Sequence, residues 1–541
     1  MSNHVLPRAL VLGVLLLALP MFGAAAQAVE PAPPPLRALD FAPFEAALAE
    51  LDGDRVGELD VIVPEATFDE LQSAMAAGDL TSLELTTYYL SRIGAIDVDG
   101  LQAMLELNPD ALTIAADLDA ERAAGTVRGP LHGIPVSIKD NIGSGGQMHN
   151  TAGAAALAEV RPDQDSFVAA ALREAGAVII GKANMSEWAY WMHTGPSGYT
   201  ALGGQVVSPY DPAFDPLGSS TGSAVGTSAN LVAASIGSET LGSLVAPAAA
   251  NGVVGMYPSR GLVSCDRVIP VTDQTDTPGP IARTVTDAAI LLTAIAGVDT
   301  QDETTSEAAA LAGTDFTDLL DTRALKGKRV GIFTAAAEPL EGMTNEDFFD
   351  TIGVGPAIDG LEAAGAEVVP IWDAGLDNLT AFVALGNNGL RMGFADYIAA
   401  VDPGGSISSI ADVVAFNAQD PGRYAFYGQE RLEAAVASDG TREQYEELGT
   451  QLRDEARGHI ADLLEQNDID VIAAPANRFS GVYAVAGYPS VTVPAGLRPT
   501  GEAIGLTFTG SYLEDAQVLA YAYAFEQASM LREVPPVGAV E

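Results

Sequence analysis

Apolar residues along this chain recur with two periods, and the switches between them mark its elements. Thr67-Phe68-Asp69-Glu70 has the form of a capping box, with Leu71 and Met75 following on one helical face. A turn at Gly78 and a second cap at Thr81-Ser82 open an amphipathic helix over 83–93, and a third helix covers 111–124. A loop over 129–135 leads into an apolar strand over 136–141 that ends in polar residues. A helix over 166–175, Gly176 and a strand over 177–180 follow. The same order returns as a helix over 357–364 (Pro356 at its start), Gly365 and a strand over 367–371. Further strands fall at 327–333, 470–474 and 506–509, and a helix over 514–532 closes the pattern. Helix, glycine and apolar strand in repetition define an α/β fold with a mixed, largely parallel central sheet covered by helices. No solenoid repeat and no strong linker interrupts residues 61–535, which are expected to form a single large domain. Residues 373–445 are helical in pattern and rich in Phe, Tyr and Asn, as a cover for a cleft would be.

The first 60 residues read differently. His4 and Arg8 precede an apolar run over 9–19, and Ala26-Gln27-Ala28 is an A-x-A cleavage site. The run is too short for an ordinary membrane span, so residues 1–28 are expected to be a removable secretory signal, with a retained anchor as the alternative. Residues 29–60, with the Pro-rich stretch Pro31 to Pro35, form a tether and lead-in. The expected location is periplasmic or secreted, with no stable membrane contact after signal removal. Cys265 is the only cysteine, so no intrachain disulfide forms and the core holds the fold alone.

Charge narrows the partners. Asp plus Glu number 72 against 26 Lys plus Arg, a net charge of −46, which argues against nucleic acid. The acid is spread along the chain, and lysine occurs only at 139, 182, 326 and 328. An acidic, lysine-poor exterior fits a saline environment, an expectation that stability measured against salt would test. The mature chain has four histidines, none in H-E-x-x-H, and no cysteine cluster, so no metal is expected. No P-loop or well-placed dinucleotide fingerprint appears, so no cofactor is expected either.

The chemistry gathers in residues 218–247, a Gly/Ser/Ala run whose one charge is Glu239. Two Ser-bearing turns, Gly218-Ser219-Ser220 and Leu241-Gly242-Ser243, bracket an Ala/Val-rich segment that reads as a buried helix. Hydroxyls on glycine turns suit acyl transfer; a small-residue core helix is the plain alternative. Gly218 to Gly222 also satisfies G-x-S-x-G, but the nucleophile elbow needs an acid and then a histidine downstream. Only His459 follows Ser220, and it lies in a helical pattern. A serine without histidine needs another base, and Lys139 ends an apolar strand in a protein that avoids lysine. It reads either as a buried amine of lowered pKa or as an ion pair with Asp140.

The segment Leu131 to Asn141 (LHGIPVSIKDN) resembles the lysine motif of the amidase signature family. Gly218 to Gly222 resembles that family's first serine loop, and Gly237 to Ser243 its nucleophile loop. Asn184 to Trp188, Gly203-Gly204-Gln205, Asp276 to Pro280 and Ala486 to Ser490 match supporting segments in the family's order. Within the family, Glu239-Thr240 with Gly242-Ser243, and Asn251 to Gly255, look most like bacterial peptide amidases. The resemblance implies a Ser–Ser–Lys triad: Ser243 as nucleophile, Ser219 as bridging serine after a cis peptide bond, and Lys139 as base. It also implies an oxyanion hole from the backbone of Thr240, Leu241, Gly242 and Ser243, and Gln205 at the acyl site. The implied activity is hydrolysis of carboxamide C–N bonds through an acyl-enzyme, on a small-molecule or peptide amide substrate, C-terminal peptide amides foremost. The alternatives are an amidase for small aliphatic or aryl amides and a silent binding protein on the same scaffold. A transamidation subunit shares the fold, but a secretory signal speaks against that cytosolic role. Leu241, Thr221, Leu244 and Val245 depart from the family's usual residues, which bears on substrate class more than on mechanism.

Overall fold

The computed structural model describes residues 33–334, 344–373, 375–376 and 378–537. The expected signal over 1–28 lies outside the described residues. Both capping boxes form: Thr67 with Glu70 opens Phe68–Ala77, and Thr81 with Glu84 opens Ser82–Arg92. The helices expected over 111–124 and 166–175 are found at Ala111–Ala123 and Phe167–Glu174. The expected tether is docked from residue 36 onward, where Leu36 and Arg37 N–H donate to Ala201 O and Leu202 O. The lead-in is helical, and its Phe44 and Leu59 are buried in the main core.

Eleven strands form one sheet. In chain order they are β1 (Met104–Leu107), β2 (Pro135–Lys139), β3 (Val178–Ala183), β4 (Ala234–Glu239), β5 (Val254–Tyr257), β6 (Thr277–Ala282), β7 (Arg329–Phe333), β8 (Glu367–Ile371), β9 (Val471–Pro475), β10 (Ser490–Leu497) and β11 (Ala503–Thr509). Their spatial order is β1-β3-β2-β4-β6-β5-β10-β11-β9-β7-β8. The sheet is mixed and helix-covered, as the pattern predicts. Its parallel parts are two wings, β3-β2-β4 and β9-β7-β8, which hold most of the helix–glycine–strand units legible in the sequence. Between them β4-β6-β5-β10-β11-β9 pair antiparallel. That centre escapes the sequence pattern because β6 carries Pro278 and Pro280, residues that ordinarily argue against a central strand.

The 218–247 run is a second departure. It is not one buried helix between two turns but a helix, Thr221–Ser228, followed by strand β4 and then the helix Val245–Ala250. Every residue of β4 is buried, so its composition matches that of a core helix and periodicity cannot separate them. Residues 373–445 do supply a helical layer, including Leu379–Val401 and Ile410–Asn417. It packs through Phe382 onto Trp191, with ring centroids 6.2 Å apart, and the Trp191 indole N–H donates to Asn387 Oδ1 at 3.0 Å.

For function the key feature is the register of β2 and β4. They run parallel, pairing Val136 with Ala234 and Ile138 with Ile236. Lys139 and Glu239 are their last residues, so both chain exits open on the same edge of the sheet, where parallel strands commonly present functional groups.

Candidate active site

Lys139 has no solvent exposure. Its Nζ donates to Ser219 Oγ at 2.8 Å, to Ser238 O at 2.9 Å and to Ser238 Oγ at 3.1 Å. Asn141 Nδ2, two residues on, donates to the same Ser238 Oγ at 2.9 Å. Burial pushes the Lys139 pKa down to about 7, against the opposing pull of Asp276 and Glu239. The amine is therefore far easier to deprotonate than an exposed lysine. Once neutral it has a lone pair, and the Ser219 hydroxyl is the nearest group able to donate to it.

Ser219 follows a cis peptide bond at Gly218. Its carbonyl accepts the Ser186 N–H at 3.0 Å. A Cβ at residue 218 would lie 2.3 Å from Ser186 Oγ and would displace that hydroxyl from the Gly198 N–H it accepts. Ser220 N–H donates to Ser243 O at 3.0 Å, which ties the first serine loop to the second. Among the described residues no hydrogen bond joins the Ser219 and Ser243 hydroxyls.

The Ser220 hydroxyl is engaged with Ser238, donating to its carbonyl at 2.9 Å and accepting its N–H at 3.1 Å. His459 lies 3.0 Å from the Asp373 carboxylate on the helix Arg442–Asn467. The elbow reading of G-x-S-x-G therefore lacks both a free serine and a histidine beside it.

Ser243 retains 7 % exposure, whereas Ser219 and Ser220 have none, so it is the serine a substrate can reach. Its loop turns at Gly242, whose φ is +86°. The buried Glu239 carboxylate accepts from Gly242 N–H and Leu244 N–H at 2.7 Å each, from Val245 N–H at 3.1 Å and from Tyr483 OH at 2.8 Å. This corrects the expected oxyanion hole. The Gly242 N–H points into Glu239, whereas the amides of Thr240, Leu241 and Ser243 have no acceptor among the described residues. Asp276 fixes Thr240, accepting its hydroxyl at 2.6 Å.

Among the described residues Gln205 makes no hydrogen bond to Lys139, Ser219 or Ser243. Its Nε2 donates to Ser197 O at 2.6 Å and Val206 O at 2.9 Å, which makes it a loop-holding side chain. The loop reaches the site indirectly, since Gly198 N–H donates to Ser186 Oγ at 2.8 Å. Sequence reasoning assigned no role to Ser238, Glu239, Asn141, Asp276 or Ser186, although Glu239 stood out as the single charge in a small-residue run. Among the described residues no cluster of three His, Cys, Asp or Glu could hold a metal ion. No helix among them is long and apolar enough to cross a membrane.

The loop of Ser243 is thus bonded to the loop of Ser219, whose hydroxyl meets a buried amine, an arrangement suited to serine hydrolase chemistry. Residues 84–481 match the Amidase family. A probable amidase of Arabidopsis thaliana is 36 % identical over 481 residues, spanning 87 % of this chain and 92 % of that protein. The solved structure of native peptide amidase from Stenotrophomonas maltophilia aligns at 40 % identity with a TM-score of 0.80, covering 87 % of this chain and 98 % of that one. A peptide amidase in complex with the competitive inhibitor chymostatin aligns at 39 % identity and 0.81, covering 87 % and 99 %. The chain belongs to the amidase signature family. It is an amidase, a hydrolase of amide C–N bonds.

Proposed function

We propose that this amidase is an exported enzyme that works through a Lys139–Ser219–Ser243 relay and takes carboxamides at peptide C-termini as substrates. The observation that carries the mechanism is a fully buried amine 2.8 Å from Ser219 Oγ, whose burial pushes its pKa down to about 7. In the proposed first step the neutral Lys139 amine takes the Ser219 proton while Ser219 takes that of Ser243, and Ser243 Oγ attacks the amide carbon. The bond between Ser220 N–H and Ser243 O keeps the two loops in register for that transfer. The amides of Thr240, Leu241 and Ser243 receive the oxyanion, each such donor being worth about 3 kcal/mol. The relay then runs backward, protonating the leaving nitrogen and releasing ammonia from a primary amide. Water cleaves the acyl-enzyme by the same route.

Peptide C-terminal amides are favoured by the likeness to peptide amidases across most of both chains. The half-buried Leu241 packs in one cluster with Trp191 and Phe382, giving the nucleophile loop an apolar flank suited to an amino-acid side chain. Export rests on the apolar run over 9–19 and the A-x-A site.

Labelling with a fluorophosphonate followed by peptide mapping tests the mechanism. Modification at Ser243 supports it; modification at Ser220, or none at all, contradicts it. A panel of amidated peptides, aliphatic amides and aryl amides tests the substrate class, with the highest kcat/KM expected for the peptides. Equal or higher values for simple aryl amides would overturn that part.

A further inference from the structure

The mechanism leaves Glu239 unused, yet it is the most fully bonded carboxylate near the nucleophile. It is 1 % exposed, and no Lys or Arg lies within ion-pair distance of it among the described residues. Its two oxygens accept four hydrogen bonds of 2.7–3.1 Å, which fills the four lone-pair sites of a carboxylate. Three of the donors are the amides of Gly242, Leu244 and Val245, on both sides of Ser243, and the Ser243 N–H is left out of the set. The fourth is Tyr483 OH, brought from the distant helix Ser480–Ala486. On the other side, Glu239 directly follows Ser238, whose carbonyl and hydroxyl both hold the Lys139 amine.

We propose that Glu239, anchored by Tyr483, is a positioning residue with two roles: it shapes the loop that presents Ser243, and, next to the Ser238 that holds Lys139, it is one of two carboxylates that serve as counter-charge to that amine. A carboxylate can satisfy this loop because it only accepts, and the three amides around it only donate. Glutamine would turn an NH2 toward backbone N–H groups, so at least one of those bonds would be lost. Burial raises the Glu239 pKa, and the four donors pull the other way, toward the charged form. Two carboxylates act on Lys139 in this way, Glu239 from the end of β4 and Asp276 from the start of β6. Asp276 is itself pushed up to about 6 by burial, while it accepts from the Thr240 hydroxyl and the amides of Val271 and Thr272. Asp140, next to Lys139 in sequence, is bonded away to Thr151 and Gly153.

This inference rests on the relay proposed above, and Lys139→Ala separates the two. If Lys139→Ala keeps the wild-type pH profile, the relay itself fails. If Lys139→Ala is inactive, kcat and kcat/KM of Glu239→Gln against pH test the positioning role. Glu239→Gln is expected to lower kcat about a hundredfold with KM changed little, and to move the acid limb down by about half a pH unit or more, because the amine loses a negative neighbour. Tyr483→Phe keeps the carboxylate and all three amide bonds, so it guards against a glutamine variant that does not fold. It should lower kcat about threefold to tenfold, with KM held. A Glu239→Gln enzyme with kcat within threefold of wild type and an unmoved limb would overturn the proposal. A fall in kcat with an unmoved limb would overturn the counter-charge role, and a Tyr483→Phe effect carried wholly by KM would overturn the loop role.

Discussion

Two buried lysines on neighbouring strands make the instructive comparison. Lys139 ends β2 and Lys182 lies in β3, where the register pairs Ile138 with Lys182 and Lys139 with Ala183. Neither has any exposure. Burial lowers both amines, Lys139 to about 7 and Lys182 to about 8, in each case against nearby carboxylates. What differs is what the amines touch. Lys182 donates to Ile142 O and to Asn150 Oδ1, acceptors with no proton to give. Lys139 touches two hydroxyls, and one of them, Ser219, sits on a loop tied to the reachable Ser243. Desolvation lowers the pKa of either amine; under the proposed relay, only a hydroxyl neighbour connected onward makes one of them a catalyst.

The contrast breaks most sharply at Lys139. Lys139→Ala and Ser243→Ala should each lower kcat by about a thousandfold or more with folding kept, read by steady-state kinetics beside circular dichroism. Ser219→Ala should cost about a hundredfold, since the relay loses its middle group. Lys182→Met should do the opposite, costing about 3 kcal/mol in denaturant unfolding because it strands the Asn150 and Ile142 oxygens and removes a cation that acts on Asp140, while kcat of the folded fraction stays within about threefold. The pH profile sharpens the same point. The base must be neutral to accept a proton, so kcat/KM should fall as pH drops below the Lys139 value of about 7. Lys182→Met should leave that limb in place. The smallest effect is expected at Ser220→Ala, which loses two bonds to Ser238, with a stability cost of about 1–2 kcal/mol and activity within tenfold.

The comparison also shows what the sequence could and could not disclose. Lys139 was legible because it ends an apolar strand and is followed by polar residues, and strand β2 is where the pattern puts it. The serine loops were legible because glycine and serine cluster where backbones must approach. Lys182 carries the same local pattern, buried and at a strand's end, and nothing in its neighbours' sequence tells that its partners are acceptors only. Those partners come from residues 142 and 150, brought in by tertiary packing. Glu239 and Asp276 were hidden for a related reason: a carboxylate's burial depends on donors supplied from other segments, Tyr483 in one case and Val271 and Thr272 in the other. The antiparallel centre was hidden by the prolines of β6, and β4 by burial of every one of its residues.

The central claim is an amine at Lys139 that loses its proton near neutral pH. The chain has only four lysines, so NMR of protein carrying 13Cε-labelled lysine gives few enough signals to assign by single substitutions. The signal that disappears in Lys139→Ala should titrate near pH 7. A Lys139 signal that instead titrates in the ordinary lysine range, above about 10, would contradict the account.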